Sequence, residues 1–189
     1  MQLAGNYFWI IFHWSLVLIL AQKKIIFTSV QCPLRSSKIA WIECTMEDNS
    51  TISIEGATND NEVVNMVGIA ELQILGGKKR MRIPGIRLEF CKLLGASSRR
   101  SLLSFFNKGI QQADSNFPKK CPFKRNTTYS MRHMKFDANY LPYYLAEYNF
   151  SFIGKFMENA AMLFEVRAKG SFCYINNDCT GAGANSSAT

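Results

Sequence analysis

The chain has 189 residues, 48% of them hydrophobic, and 22 Lys and Arg against 14 Asp and Glu give a net charge of +8. This suits one domain with its own core, and the positive balance either favours anionic partners such as acidic lipids, sulfated glycans or nucleic acid, or simply keeps the protein soluble. The six cysteines include no Cys-x-x-Cys pair, which leaves zinc ribbons and thioredoxin-type redox sites without support.

Tyr7 to Ala21 is a nearly continuous apolar run, broken by His13 and Ser15. About fifteen residues is short for a membrane span, which needs about 20, and right for the apolar region of a secretory signal. The expectation is a signal peptide over 1–21, with cleavage anywhere between 21 and 31. A short signal anchor is the alternative, because Met1–Asn6 lacks Lys and Arg, and Lys23 and Lys24 follow the run. Every Lys, Arg, Asp and Glu lies beyond Ala21, so the charge belongs to the remaining chain.

An even set of cysteines beyond a leader (Cys32, Cys44, Cys91, Cys121, Cys173 and Cys179) predicts three disulfides. Sequons begin at Asn49, Asn126, Asn149 and Asn185 and predict a glycosylated surface. Together these features place the protein outside the cell. One domain is expected over 32–179, followed by a loose Gly/Ala/Ser tail over 180–189.

In chain order, Lys38 to Met46 reads as a strand carrying Trp41, Ile42 and Cys44, closed by a polar Glu47–Ser50 turn. From Val64 to Ile74 the even positions are Val64, Met66, Gly68, Ala70, Leu72 and Ile74, so that row is predicted inward. Gly76-Gly77 supplies a hairpin turn, and the return strand puts Met81 and Ile83 inward. Pro84-Gly85 shifts the phase as a bulge would, and Ile86, Leu88 and Phe90 resume the inward row. Arg99 to Ala113 breaks the β habit, with Leu102, Leu103, Phe105, Phe106 and Ile110 near helical spacing and Gly109 as an interruption.

Further on, Tyr144, Ala146, Tyr148, Phe150 and Phe152 alternate with Leu145, Glu147, Asn149 and Ser151. Asn149 heads a sequon, which assigns its face to solvent and sends the aromatic row inward. A last strand over Met162–Lys169 opposes Met162, Phe164, Val166 and Ala168 to Glu165, Arg167 and Lys169. One wet and one dry face per strand is an antiparallel pattern. Cys91 and Cys121 bracket the helical segment, and a bridge between them would close a loop of about 30 residues worth roughly 3–4 kcal/mol. The remaining four lie near the chain ends, so Cys32 and Cys44 are expected to pair with Cys173 and Cys179 in some order.

No catalytic constellation assembles. His133 is the single histidine beyond the leader, so paired-imidazole ribonuclease chemistry lacks a partner, and no Gly-x-Ser-x-Gly elbow accompanies it. The expectation is a non-enzyme with no cofactor and no metal. The aromatic and methionine row either fills a solid core or lines a cavity, and periodicity does not separate the two. The basic cluster Lys78-Lys79-Arg80 with Arg82 and Arg87 either meets an acidic head group or is a solvated turn.

A resemblance weighs on that choice. The residues that carry it are Leu88-Glu89-Phe90-Cys91-Lys92-Leu93-Leu94, the segment Leu102–Ile110, and Asn116. Lys120-Cys121-Pro122-Phe123, Tyr129-Ser130-Met131, Leu141-Pro142 and the strands from Tyr144 and Met162 complete it. Over these the chain resembles an insect-specific family of small secreted proteins similar to the chemosensory B proteins of flies. Through them it resembles the ganglioside-activator branch of the ML lipid-recognition fold. Cys32, Cys44 and Cys179 lie outside the match.

The resemblance implies a mainly β fold, a two-sheet antiparallel immunoglobulin-like sandwich of ML type with one short helical segment. It implies a hydrophobic small molecule or lipid held between the sheets, in chemical sensing or lipid handling, with a membrane surface or receptor as a further partner and no nucleic acid. Candidate lining residues are Met66, Leu72, Ile74, Leu88, Phe90, Tyr144, Tyr148, Phe150, Phe152, Met162, Phe164 and Val166, with Phe105 and Phe106 either a lid over the mouth or part of a helix packed on the sandwich edge. The alternative is an extracellular sandwich with a solid core that binds a protein or a glycan through its surface.

Overall fold

A computed structural model describes residues 23–76, 79–90, 108–118, 120–138, 147–175 and 179, and within them the period-two pattern resolves into nine strands. Five form one sheet in the order β1 (Lys23–Gln31), β9 (Ala161–Tyr174), β8 (Tyr148–Glu158), β4 (Val67–Gly76) and β5 (Lys79–Glu89). Four form a second sheet in the order β2 (Ile39–Asp48), β3 (Thr51–Thr58), β7 (Thr128–Lys135) and β6 (Asp114–Ser115). All pairings are antiparallel. A short helical turn occupies 108–112. The protein is a mainly β, disulfide-stapled sandwich, with the apolar faces of its two sheets turned toward each other.

The β4–β5 hairpin has the expected bulge. Ala70 pairs with Ile86 and Leu72 with Ile83, so Pro84 and Gly85 together face Glu71. Proline is tolerated because β5 is an edge strand, where a missing N–H breaks no ladder. Val64, expected inward, is 54% exposed, because β4 begins only at Val67. The β8–β9 hairpin turns through Asn159 and Ala160, both with positive φ (48° and 68°), between the paired Glu158 and Ala161. Two left-handed residues form the turn that matches strand twist.

Sheet pairing begins ahead of Cys32. β1 pairs with β9 from Lys23 opposite Tyr174 to Gln31 opposite Arg167, and buries Ile25 and Phe27. This placement also corrects the expected disulfides. Cys32–Cys44 and Cys173–Cys179 are the bonds formed, with Cα atoms 5.5 and 5.7 Å apart. Lys24 lies opposite Cys173, so Cys173 and Cys32 stand at opposite ends of β1. At about 3.3 Å per residue that is on the order of 26 Å, against the roughly 7 Å a disulfide tolerates. Cys32–Cys44 instead ties the end of one sheet's edge strand to β2 of the other sheet. Cys121 is also disulfide-bonded. Its expected pairing with Cys91 lies outside the described residues. Among the described residues no helix is long and apolar enough to cross a membrane.

Candidate functional site

Between the sheets lies a cavity of about 190 Å³. From the five-stranded sheet, Phe150, Phe152 and Phe156 of β8, Phe164, Val166, Ala168 and Phe172 of β9, and Ile25 and Phe27 of β1 face it, with Leu72 of β4. From the other sheet come Ile39 and Ile42 of β2, Ile52, Ile54 and Gly56 of β3, and Tyr129, Met131 and Met134 of β7. Met66, Phe90, Ile110, Phe117, Phe123 and Phe136 contribute from outside the strand interiors.

The hollow follows from the order of side-chain sizes along the strands. One end is closed by Phe150 stacked on Phe172, centroids 4.5 Å apart, with Phe27 edge-on to Phe150 at 5.9 Å. The other end is closed by Phe156 stacked on Phe164 at 4.6 Å, continued through Phe90, Phe117, Phe123 and Tyr129. Between the two aromatic groups β9 offers Val166 and Ala168, and Gly56 of β3, paired with Tyr129, lines the hollow beside the second of them. Side chains this small leave part of a layer that normally spans about 10 Å unfilled.

The lining is chemically uniform. The two hydroxyls among its described residues are already engaged: Thr58 Oγ1 donates to the Lys124 carbonyl at 2.5 Å, and Tyr129 Oη accepts from the Lys124 N–H at 2.8 Å. Among the described residues no ionisable acid or base other than that phenol lines the space. A cavity without unpaired polar groups stays dry and admits only apolar matter.

The expected lining residues Met66, Leu72, Phe90, Phe150, Phe152, Phe164 and Val166 border the hollow. Three do not. Ile74 is 2% exposed but packed in solid core, and Tyr148 packs half-buried against that core. Met162 is turned away because a register shift places Phe164 opposite Phe156 but Met162 opposite Met157, on the outer side. The side chain of Leu88, and Phe105, Phe106 and Tyr144, lie outside the described residues.

The four-stranded sheet's contribution is absent from the expected set. Ile52 and Ile54 carried a period-two signal. Met134 did not, because the bulge at His133 (φ 55°) breaks the alternation that starts at Tyr129 and Met131.

His133 itself is 55% exposed on the outer face, its Nδ1 2.9 Å from Asp114 Oδ2 and its Nε2 3.3 Å from Glu47 Oε2. Both ring nitrogens face carboxylates, and the neighbouring Ser53 hydroxyl donates to Glu47 at 2.5 Å. Of the sequon asparagines, Asn49 and Asn126 are exposed, and Asn149 is half-buried, its Oδ1 accepting from Ser171 Oγ at 2.7 Å. Asn185 lies outside the described residues.

A two-sheet, disulfide-stapled antiparallel sandwich with an apolar hollow is the class these features define. A family model described as "Protein of unknown function (DUF1091)" matches residues 70–152, from β4 into β8. Among curated proteins none matches the chain.

Proposed function

We propose that this is a secreted, non-catalytic binding protein that carries or presents a small apolar molecule between its sheets. The observation that carries the reading is the hollow itself, apolar along its described lining and with the hydroxyls there already bonded to backbone. At about 190 Å³ it exceeds the roughly 150 Å³ apolar cavity that takes up benzene, and falls short of the 300–1,000 Å³ of drug-sized pockets. That size suits one hydrocarbon chain or a compact apolar ring better than a two-chain lipid. At about 0.8 kcal/mol per buried methylene, roughly ten methylenes are needed for micromolar affinity.

Disulfides and exposed sequon asparagines at Asn49 and Asn126 support an extracellular, glycosylated setting. Kinship with the ML lipid-recognition fold, and through it a role in chemosensation, forms part of the same proposal. Ligand exchange needs no covalent step, so the protein is read as a non-enzyme.

The test is organic extraction of the purified full chain followed by mass spectrometry. One apolar compound in near-stoichiometric amount supports the reading. Extracts indistinguishable from those of an unrelated disulfide-bonded control protein, together with failure to take up any fatty acid or hydrocarbon offered, reject it.

A further inference from the structure

The outer face of the five-stranded sheet carries a second feature that the hollow does not use. Arg82 and Arg87 stand on β5, Lys155 on β8, and Arg167 and Lys169 on β9, with Arg35 beside them from the segment after β1. Register aligns them: Arg82, Gln73, Ser151 and Lys169 form one row across four strands, and Arg87, Ile69, Lys155 and Glu165 another. Two carboxylates sit low among these cations. Glu71, 13% exposed, accepts from Arg82 at 2.7 Å and from Lys155 at 3.0 Å. Glu165, 8% exposed, is held by Arg167 at 2.6 Å and Arg35 at 3.5 Å. Glu89, beyond Arg87, is a further carboxylate on this face, and among the described residues the cations around the strip outnumber the carboxylates.

The sunken carboxylates fix where the guanidinium groups stand while leaving their outer edges in water. Arg82 remains 64% exposed and Arg167 46%. The β5 and β9 cations thus form two rails about 14 Å apart, three strand spacings, flanking a strip of Gln73, Ser151 and Ile153.

We propose that this strip binds a sulfated polysaccharide, laid along the strands with its sulfates reaching the rails on either side. Guanidinium groups held in fixed forks recognise such oxyanions well. Two other polyanions fit less well. A bilayer would be met with little apolar insertion, since Leu75 and Ile175, both toward one end, are the exposed large apolar side chains among this face's described residues. A single nucleic-acid strand would find no stacking platform, since the exposed aromatic among the described residues, Trp41, belongs to the opposite sheet.

The experiment measures binding of the full chain to heparin across a salt series, beside the fourfold variant Arg82→Gln, Arg87→Gln, Arg167→Gln, Lys169→Gln. Arg87→Gln with Lys169→Gln alone serves as a gentler pair, and Lys124→Gln with Arg125→Gln as a control elsewhere on the surface. The expected result is binding at about 0.15 M salt, weakened at least tenfold by the fourfold variant and measurably by the pair, with the control unchanged. By counterion release the slope of log affinity on log salt should flatten by roughly one per cation removed. No heparin binding by the wild type, equal loss in the control, or binding confined to phosphatidylserine vesicles overturns the proposal.

Discussion

Gly109 lies flat against Phe136, so close that a Cβ on the glycine would stand 2.6 Å from ring atom Cε1 and 2.7 Å from Cδ1. The glycine that interrupts the helical spacing is therefore what lets the 108–112 turn press onto the ring. Phe136 in turn meets Phe27 edge-on at 5.9 Å, and Ile110 reaches the hollow. Two effects oppose each other in Gly109→Ala. Helix propensity gains about 0.5–1 kcal/mol, while forcing the ring aside costs about 1–3 kcal/mol. Packing wins, so the variant is expected to lose net stability and bind apolar ligand more weakly, as thermal denaturation and a binding titration will show.

Glu158 ties the β8–β9 corner to the opposite edge. It is 3% exposed, its Oε2 lies 2.5 Å from Lys38 Nζ, and its Oε1 accepts from the Val64 N–H at 2.7 Å. Burial alone would push its pKa up, but the Lys38 ammonium and the N–H groups of Val64 and Asn65 together hold it below the ordinary 4.5. A carboxyl depressed in the folded state stabilises fully above its unfolded value and loses that contribution as pH falls through the folded one. Urea unfolding from pH 7 downward should therefore show stability declining below about pH 4.5, and Glu158→Gln should flatten that part of the decline. At pH 7 the substitution should cost about 1–3 kcal/mol, mainly through the unsatisfied partners.

Ala160 holds φ at 68° in the β8–β9 turn, a conformation an L side chain rarely adopts. Glycine carries no such penalty. Ala160→Gly should raise stability by about 0.5–1 kcal/mol, or roughly 1–4 °C in Tm for a chain of this size. Differential scanning calorimetry reads this directly, and an unchanged or lower Tm would contradict it.

Cys32–Cys44 closes a segment of 12 residues and joins the two sheets. On the chain-entropy model its loss should cost about 3 kcal/mol. Replacing both cysteines by Ala should lower the urea midpoint accordingly. The sheets would then be held at this edge by packing alone, and exchange of the hollow's contents should speed up.

The strands that lay half in water were legible from alternation alone. β8 declared itself through Phe150 and Phe152 against Asn149 and Ser151, and β5 through the phase slip at Pro84-Gly85. Three things hid the rest. Ile25 and Phe27 continue an apolar run that also reads as leader, so β1 looked like its trailing edge. The bulge at His133 broke the row of β7 before Met134. The β8–β9 turn is Asn-Ala and not Asn-Gly, so its hairpin carried no glycine mark. As for the site, one strand's periodicity says which side chains point inward but not what they meet. Ala168 and Val166 share the wall of the hollow with Gly56 and Ala57 of the other sheet, residues more than a hundred positions away.

The central claim is that the space beside Ala168 is empty in the apo protein and available to hydrocarbon. Titration of a fluorescent fatty acid into wild type and Ala168→Leu, with thermal stability recorded on the same samples, tests it most directly. Leucine placed in a true hollow fills it, so the variant should fold with undiminished stability and bind the fatty acid at least tenfold more weakly. Leucine placed in a solid core strains it by about 1–3 kcal/mol. A destabilised variant, with no binding by either protein, would contradict the account.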